Sequence, residues 1–386
     1  MFRATTGATL LGVGPMSLNC VDAAIEIANE HRVFLMLIAS RRQIDSAEFG
    51  GGYVNNWTTE QFAEYVGEHD TGRFIVMARD HGGPWQNEVE TRQGMNLERA
   101  MGASKRSFQA DIEAGFDLIH IDPSQGSNGF PQPTTKEFTE RTKELLAYCK
   151  MAAARSQREV AIEIGTDEGQ IGTAPCVDIE TMADEVVAFC QSEGFDAPEF
   201  LVIQTGTKVM ETQNVGPLDR QVQQGGDVDG CSTLPRLMAI GDRFGFVTKE
   251  HNADYLSHPT LRWHVRRQIG AANAAPEFGV TETRTLLDLL RTAGARHLEE
   301  RFLELAFASR KWEKWMLPGT AATDRDRAII AGHYVFATPA FRDIHEEATR
   351  LCDGKAVNLR ATLREAVKRA MMRFVQPFGM VQTIGV

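Results

Sequence analysis

The sequence predicts an α/β protein, a (β/α)8 barrel followed by a C-terminal helical extension. Two features carry this expectation. Over roughly the first 290 residues, eight short apolar runs alternate with helical stretches. Beyond about Ala295 the alternation stops and only helical periodicity continues. An open doubly wound sheet is the structural alternative; the first glycine pattern, "GVGPMS" (Gly12 to Ser17), is broken by Pro15 and has no third glycine at the spacing of a dinucleotide-binding turn, which disfavours a Rossmann cofactor site. The expected organisation is a barrel over residues 1–294 and a helical region over 295–386.

Taken in order, the strands are expected at "TLLGVG", "VFLMLIAS", "RFIVMARD", "DLIHID", "EVAIEIGT", "FLVIQTGT", "FGFVTKEH" and "GAANAAPE". The helices between them carry start and stop signals. Thr58 and Gln61 stand at capping-box spacing, Asp178 precedes an acidic first turn, and Gly115 and Gly194 close two helices. In the C-terminal region, Pro318-Gly319 and Pro339 punctuate four helical stretches. Trp312 and Trp315, three apart, are expected on a packed helix face.

Composition narrows the function. A net charge of -11 with no dense Lys/Arg run disfavours nucleic acid as a partner. The most apolar run, Val33 to Ser40, is too short to span a bilayer, and the first twenty residues do not read as a signal peptide. The six cysteines lack CxxC spacing, which disfavours a disulfide framework or a zinc knuckle. A cytoplasmic protein acting on a small molecule is the expectation.

In a barrel the carboxyl ends of all strands open into one mouth, so polar residues there converge from distant positions. The third strand runs into "RDHGGPWQ" and the seventh into "KEHNADY". His81 and His251, each beside a carboxylate at a strand end, are the expected ligands of a zinc-like divalent ion. The third ligand is open among Asp167, Glu168, Glu163, Asp122 and Gln204, with Asp167 and Glu163 foremost. The glycines after His81 are expected to let the backbone approach the ion or substrate.

Asp80 is the candidate general acid or base, with Asp122 and Glu250 as alternates or as orienters of a histidine. Arg41 and Arg42 are candidate anion clamps, and Lys208 a third. His120, Gln43, Gln204, Asn252 and Asp254 are candidate substrate contacts. No lysine is read as lying within a strand, which disfavours Schiff-base chemistry, and no GxxxxGK[ST] loop supports a kinase.

The segments "FGGGYVNNWTTEQF", "RDHGGPWQ", "AGFDLIHIDPS", "IGTD", "VIQTGT" and "KEHNADYLS", with "RKWEKWMLPG" further on, resemble the tagatose-bisphosphate aldolase subunit family, the so-called non-catalytic subunits also labelled tagatose-6-phosphate kinase. The resemblance implies a barrel related to metal-dependent class II aldolases, with Asp80 as proton shuttle and His81 and His251 as ligands. It departs where those aldolases place a histidine after the sixth strand, since Gln204-Thr205-Gly206 stand here; Asp167 is the expected substitute. The implied activity is aldol cleavage of a ketose phosphate or related sugar acid. The alternatives are a stabilising subunit partnered with a separate aldolase, or a uronate epimerase using retro-aldol chemistry. A homo-oligomer is also compatible.

Overall fold

The computed structural model describes residues 7–127, 131–166, 176–225 and 234–381. Eight parallel strands close into a barrel: β1 (Leu10–Val13), β2 (Leu35–Ser40), β3 (Ile75–Gly82), β4 (Leu118–Ile121), β5 (Ala161–Ile164), β6 (Phe200–Ile203), β9 (Val247–Glu250) and β10 (Ala271–Ala274). Among the described residues two further strands, β7 (Val209–Met210) and β8 (Gln213–Asn214), form a small antiparallel hairpin after β6. Around the barrel the order is β1-β10-β9-β6-β5-β4-β3-β2. The fold is the (β/α)8 barrel that the alternation predicts.

The strands are apolar on both faces because both are buried, one inside the barrel and one beneath the helices. In β2, Met36 and Ile38 join Val76, Ala78, Leu118, Phe200 and Ala271 in an inner plug. Leu35, Leu37 and Ala39 face the opposite way, into the larger core under the helices. This two-residue period places the site. One step beyond the plug along β3, β4, β5, β9 and β10, the inward positions are Asp80, His120, Glu163, Lys249 and Asn273, so a polar layer sits directly on an apolar one.

The outward residue next to Asp80 is Arg79, fully buried and bound twice to Asp111 of the helix Leu97–Ala114 at 2.7 and 2.6 Å. It also donates to the carbonyls of Ala39 and Ile44 at 2.8 and 2.7 Å, fixing β3 to β2 and to the loop beyond it. Thr58 and Gln61 form the expected capping box. Gly115 closes its helix in the left-handed conformation, φ 95°. Asp178 lies within the first turn of the helix Cys176–Glu193 rather than ahead of it.

The core does not divide at residue 295. Helices Arg296–Ala308, Asp324–Ala331 and Pro339–Asp353 share a second core with Val280, Leu286, Leu287 and Leu290 of the last barrel helix. The final helix, Leu359–Val375, returns to the barrel: Val367, Met371, Phe374 and Val375 lie in the main core, and Phe378 accepts the Thr9 N–H at 3.0 Å. Cys20, Cys149, Cys190 and Cys352 are buried free thiols. Among the described residues no helix is long and apolar enough to cross a membrane.

Candidate metal centre in the barrel mouth

An irregularity in β3 builds the centre. Arg79 pairs with Ile119 and Gly82 with Ile121, so Asp80 and His81 together oppose the single residue His120. The extra residue is a bulge, and His81 takes up the turn with φ 45°. Consecutive residues that would point to opposite faces therefore both line the mouth. Gly82 and Gly83 serve packing rather than ligand approach: a side chain would overlap Phe108 and the His120 carbonyl at the first, and the Asp122 carbonyl at the second. The expectation for these two glycines is corrected accordingly.

Three histidines face one another. The ring centroids of His81 and His251 are 5.0 Å apart, those of His81 and His120 5.2 Å, and those of His120 and His251 5.3 Å. One ligand atom each from Asp80, His120 and His251 falls within 4.8 Å of the others. His251 Nε2 stands 3.1 Å from Glu163 Oε1 and 4.0 Å from Asp80 Oδ1. His120 Nδ1 stands 3.6 Å from Asp80 Oδ1 and 3.8 Å from Glu163 Oε1.

Two imidazoles and two carboxylates converging in a buried pocket are donor types that a divalent transition ion takes, and Asp80, His120 and His251 could hold one. His120 Nε2 lies 3.0 Å from the Gly165 carbonyl, which makes it the donor nitrogen and leaves the single lone pair on Nδ1; that lone pair takes the His81 N–H at 3.1 Å, a hydrogen bond it would give up to hold an ion. His81 Nδ1 lies 2.7 Å from Asp122 Oδ2, an orienting carboxylate–histidine pair.

Electrostatics favour ionised carboxylates here. Burial opposes the charge on Asp80, but the imidazoles of His81, His120 and His251 outweigh it and hold the carboxyl far below its ordinary range. Burial likewise opposes Glu163, and Lys249 with the histidines brings it down to about 2. Asp122 is lowered against its burial by its bond to His81.

The cavity above the centre has a volume of about 600 Å³ and is lined by Asp80, His81 and His251 together with Arg42, Gln43, Lys208, Asn252 and Asp254. Its far wall comes from the C-terminal region: Lys314, Trp315 and Tyr334. The β7–β8 hairpin docks on this wall, Glu211 N–H donating to the Trp315 carbonyl at 2.8 Å.

Several expected roles change. Arg41 is fully buried outside the mouth, paired with Asp45 at 3.0 Å and Glu90 at 2.5 Å, where it braces the loops after β2 and β3; of the two arginines only Arg42 reaches the cavity. Glu250 faces outward and is bound by His264, Thr205 and Thr207, so it is a structural acceptor rather than a proton carrier. Gln204 follows β6 without reaching the cavity wall. Gln43 lines the cavity yet is held by the Ser40 N–H at 2.8 Å and the Pro15 carbonyl at 3.3 Å. Asp167 and Glu168 lie outside the described residues.

Lys249 overturns the reading that no lysine lies within a strand. Its signal was its place two residues before His251, on the same inward face. Asn273, which donates to Asp80 Oδ1 at 3.4 Å, was also missed. Trp315 is not on a packed helix face with Trp312; it ends a short 3-10 turn and borders the cavity.

Asp254 Oδ1 accepts the N–H groups of Ala275 and Glu277 at 3.0 and 2.8 Å and so caps the helix Pro276–Thr292. Burial and the Glu277 carboxylate push its carboxyl up to about 7. A carboxyl raised this way keeps its proton in the folded state after the unfolded chain has lost it. Stability present below about pH 4 is therefore withdrawn as the pH climbs to about 7, on the order of 4 kcal/mol at ~1.4 kcal/mol per unit. Asp254→Asn keeps the acceptor and removes the titration. It should melt like the parent at pH 4 and above it at pH 8; parallel melting curves across that range would refute the assignment.

Residues 7–181 match the family described as D-tagatose-1,6-bisphosphate aldolase subunit GatZ/KbaZ-like. Over that span the chain is similar to the GatZ/KbaZ-like family. A curated relative, the D-tagatose-1,6-bisphosphate aldolase subunit GatZ of Escherichia coli O7:K1 (strain IAI39 / ExPEC), is 30% identical over 279 residues, covering 66% of this chain and 61% of its own. The chain spans from 34% to 61% of the length of the curated relatives it matches. A crystal structure from Sinorhizobium meliloti 1021, described as a probable tagatose 6 phosphate kinase, superposes with a TM-score of 0.75 at 19% identity, over 96% of this chain and all of the other. The fructose-bisphosphate aldolase of Campylobacter jejuni superposes with a TM-score of 0.55 at 10% identity, over 97% and 91% of the two chains. These likenesses are ones of fold.

Proposed function

We propose that the barrel mouth carries out metal-dependent aldol chemistry, cleaving a carbon–carbon bond in a ketose phosphate or a related sugar acid. The observation that carries this reading is the convergence of Asp80, His120 and His251 within 4.8 Å beneath a cavity rimmed by Arg42, Lys208 and Lys314. A divalent ion held by His251 and His120, with Glu163 or Asp80 completing the set and His81 in reach, would supply Lewis-acid stabilisation of charge on a substrate carbonyl oxygen.

The chain's own residues do the rest. Asp80 is the carboxylate of the cluster that borders the cavity, its side chain 12% exposed against 0% for Glu163, so it is the group that takes and returns a hydroxyl proton. Asn273 and the histidines orient it. Asp122 fixes the His81 ring. The three rim cations anchor an anionic end of the substrate and help to set the distance from that end to Asp80.

Elemental analysis of the purified protein, followed by cleavage assays on ketose phosphates and uronates, tests the reading. Asp80→Asn should keep the bound ion and lower turnover a hundredfold or more; loss of the ion would instead make Asp80 a ligand. Triose fragments as products identify cleavage, and a sugar epimer identifies retro-aldol epimerisation. The family's description as an aldolase subunit supports a second reading, a stabilising role beside a separate aldolase. Under it, the chain alone turns over nothing and raises the activity or lifetime of the partner aldolase.

A further inference from the structure

Among the described residues, Lys249 is a charged group at the mouth that the chemistry above leaves without a role. It lies inside β9, 1% exposed, with its Nζ donating to Glu163 Oε2 at 2.6 Å. The other oxygen of Glu163 faces His251 Nε2 at 3.1 Å and His120 Nδ1 at 3.8 Å. A single carboxylate thus links a fixed ammonium to the point where the donor atoms meet. Lys249 is not on the cavity wall, its Nζ lies 5.7 Å from the centre of the Phe200 ring, and Glu163 is wholly buried. Water does little to screen a charge in such a place.

Among the described residues, three carboxylates, Asp80, Asp122 and Glu163, stand against the imidazoles, and Lys249 is an ammonium bound directly to one of them, while Arg42, Lys208 and Lys314 lie on the cavity wall. With imidazoles as neutral ligands, these three carboxylates and Lys249 together carry two negative charges, the complement of one divalent cation. We propose that Lys249 is a built-in counter-charge that sets the valence and the affinity of the cation this cluster accepts, an inference that rests on the metal reading given above.

The ammonium repels whatever cation the donors hold, so it keeps binding weaker than the bare carboxylates would make it. It also leaves a trivalent ion with an uncompensated buried charge, which is costly. Removing it should strengthen cation binding and favour higher valence. A lysine that served only to fill space or steady the fold would move neither.

The test uses the full chain and two probes, Zn2+ by competition with a chelating dye and Tb3+ by its luminescence, with the melting temperature recorded in each state. Lys249→Met should bind Zn2+ at least tenfold more tightly than the parent and gain still more for Tb3+. Lys249→Arg should stay within threefold of the parent. Glu163→Gln alone should bind at least tenfold more weakly, and adding Lys249→Met to it should recover the loss, because the charge balance returns. This pair keeps the test open if Lys249→Met alone fails to fold with its carboxylate unpaired.

Unchanged or weaker binding by folded Lys249→Met, or no recovery in the double variant, overturns the proposal. His251→Ala in the same assay separates the two levels. If it binds ions like the parent, the metal reading itself fails. If it loses the ion while Lys249→Met binds like the parent, only the counter-charge role fails.

Discussion

Replacing His251 with alanine is expected to lower divalent-ion affinity by about a hundredfold or more and to abolish turnover, with the barrel intact. His251 is 3% exposed, at the end of β9, and its Nε2 is the imidazole nitrogen closest to Glu163. The neighbouring imidazoles are poor replacements. His81 is steered by Asp122 and His120 by the Gly165 carbonyl, so neither can swing into the vacated place without giving up a buried hydrogen bond. Metal content after dialysis and the melting shift on adding Zn2+ report the effect independently of any substrate. A variant that retains both would place the ion elsewhere and remove the basis for the aldol chemistry.

Arg79→Ala is expected to cost about 3–5 kcal/mol, the range for breaking a buried ion pair by removing one partner. The guanidinium binds Asp111 through both oxygens and two main-chain carbonyls, and the Phe116 ring lies 5.4 Å from it. Alanine leaves the Asp111 carboxylate stranded, with little but Thr59 to bind it. Set against a total stability of about 5–15 kcal/mol, this is a large share. Urea unfolding measures it. Pairing Arg79→Met with Asp111→Leu should recover most of the loss, since the carboxylate then goes with its partner. If Arg79→Ala unfolds like the parent, the network is not holding β3 in place.

The alternation of apolar runs and helices was enough to reveal the barrel, because every strand is buried on both faces and bounded by polar loops. The strand ends were legible for the same reason: Asp80, His81 and His251 stand where apolar runs give out. The bulge was not, since an extra residue in β3 leaves the local composition unchanged and shows only in the pairing with β4. Arg41 and Arg42 are chemically alike and adjacent. Only the fold decides that the first meets Glu90 and Asp45 while the second reaches the cavity. Lys249 hid for a related reason: a charge inside a barrel is improbable until Glu163, 86 positions away, is brought within 2.6 Å. The wall of Lys314, Trp315 and Tyr334 depends on how a helical region folds back over a barrel, which periodicity does not encode.

The return of the last helix to the barrel has a consequence for biosynthesis. Asp22, in the helix that follows β1, is bound by Arg360, 338 positions later, and Lys368 reaches Glu30 across the same interval. During translation the first strand and its helix must wait until the segment 338 positions further on has left the ribosome before their flank is covered. Until then an apolar surface meant for Val367, Met371 and Phe374 stays open to other nascent chains, a hazard that chaperones exist to contain.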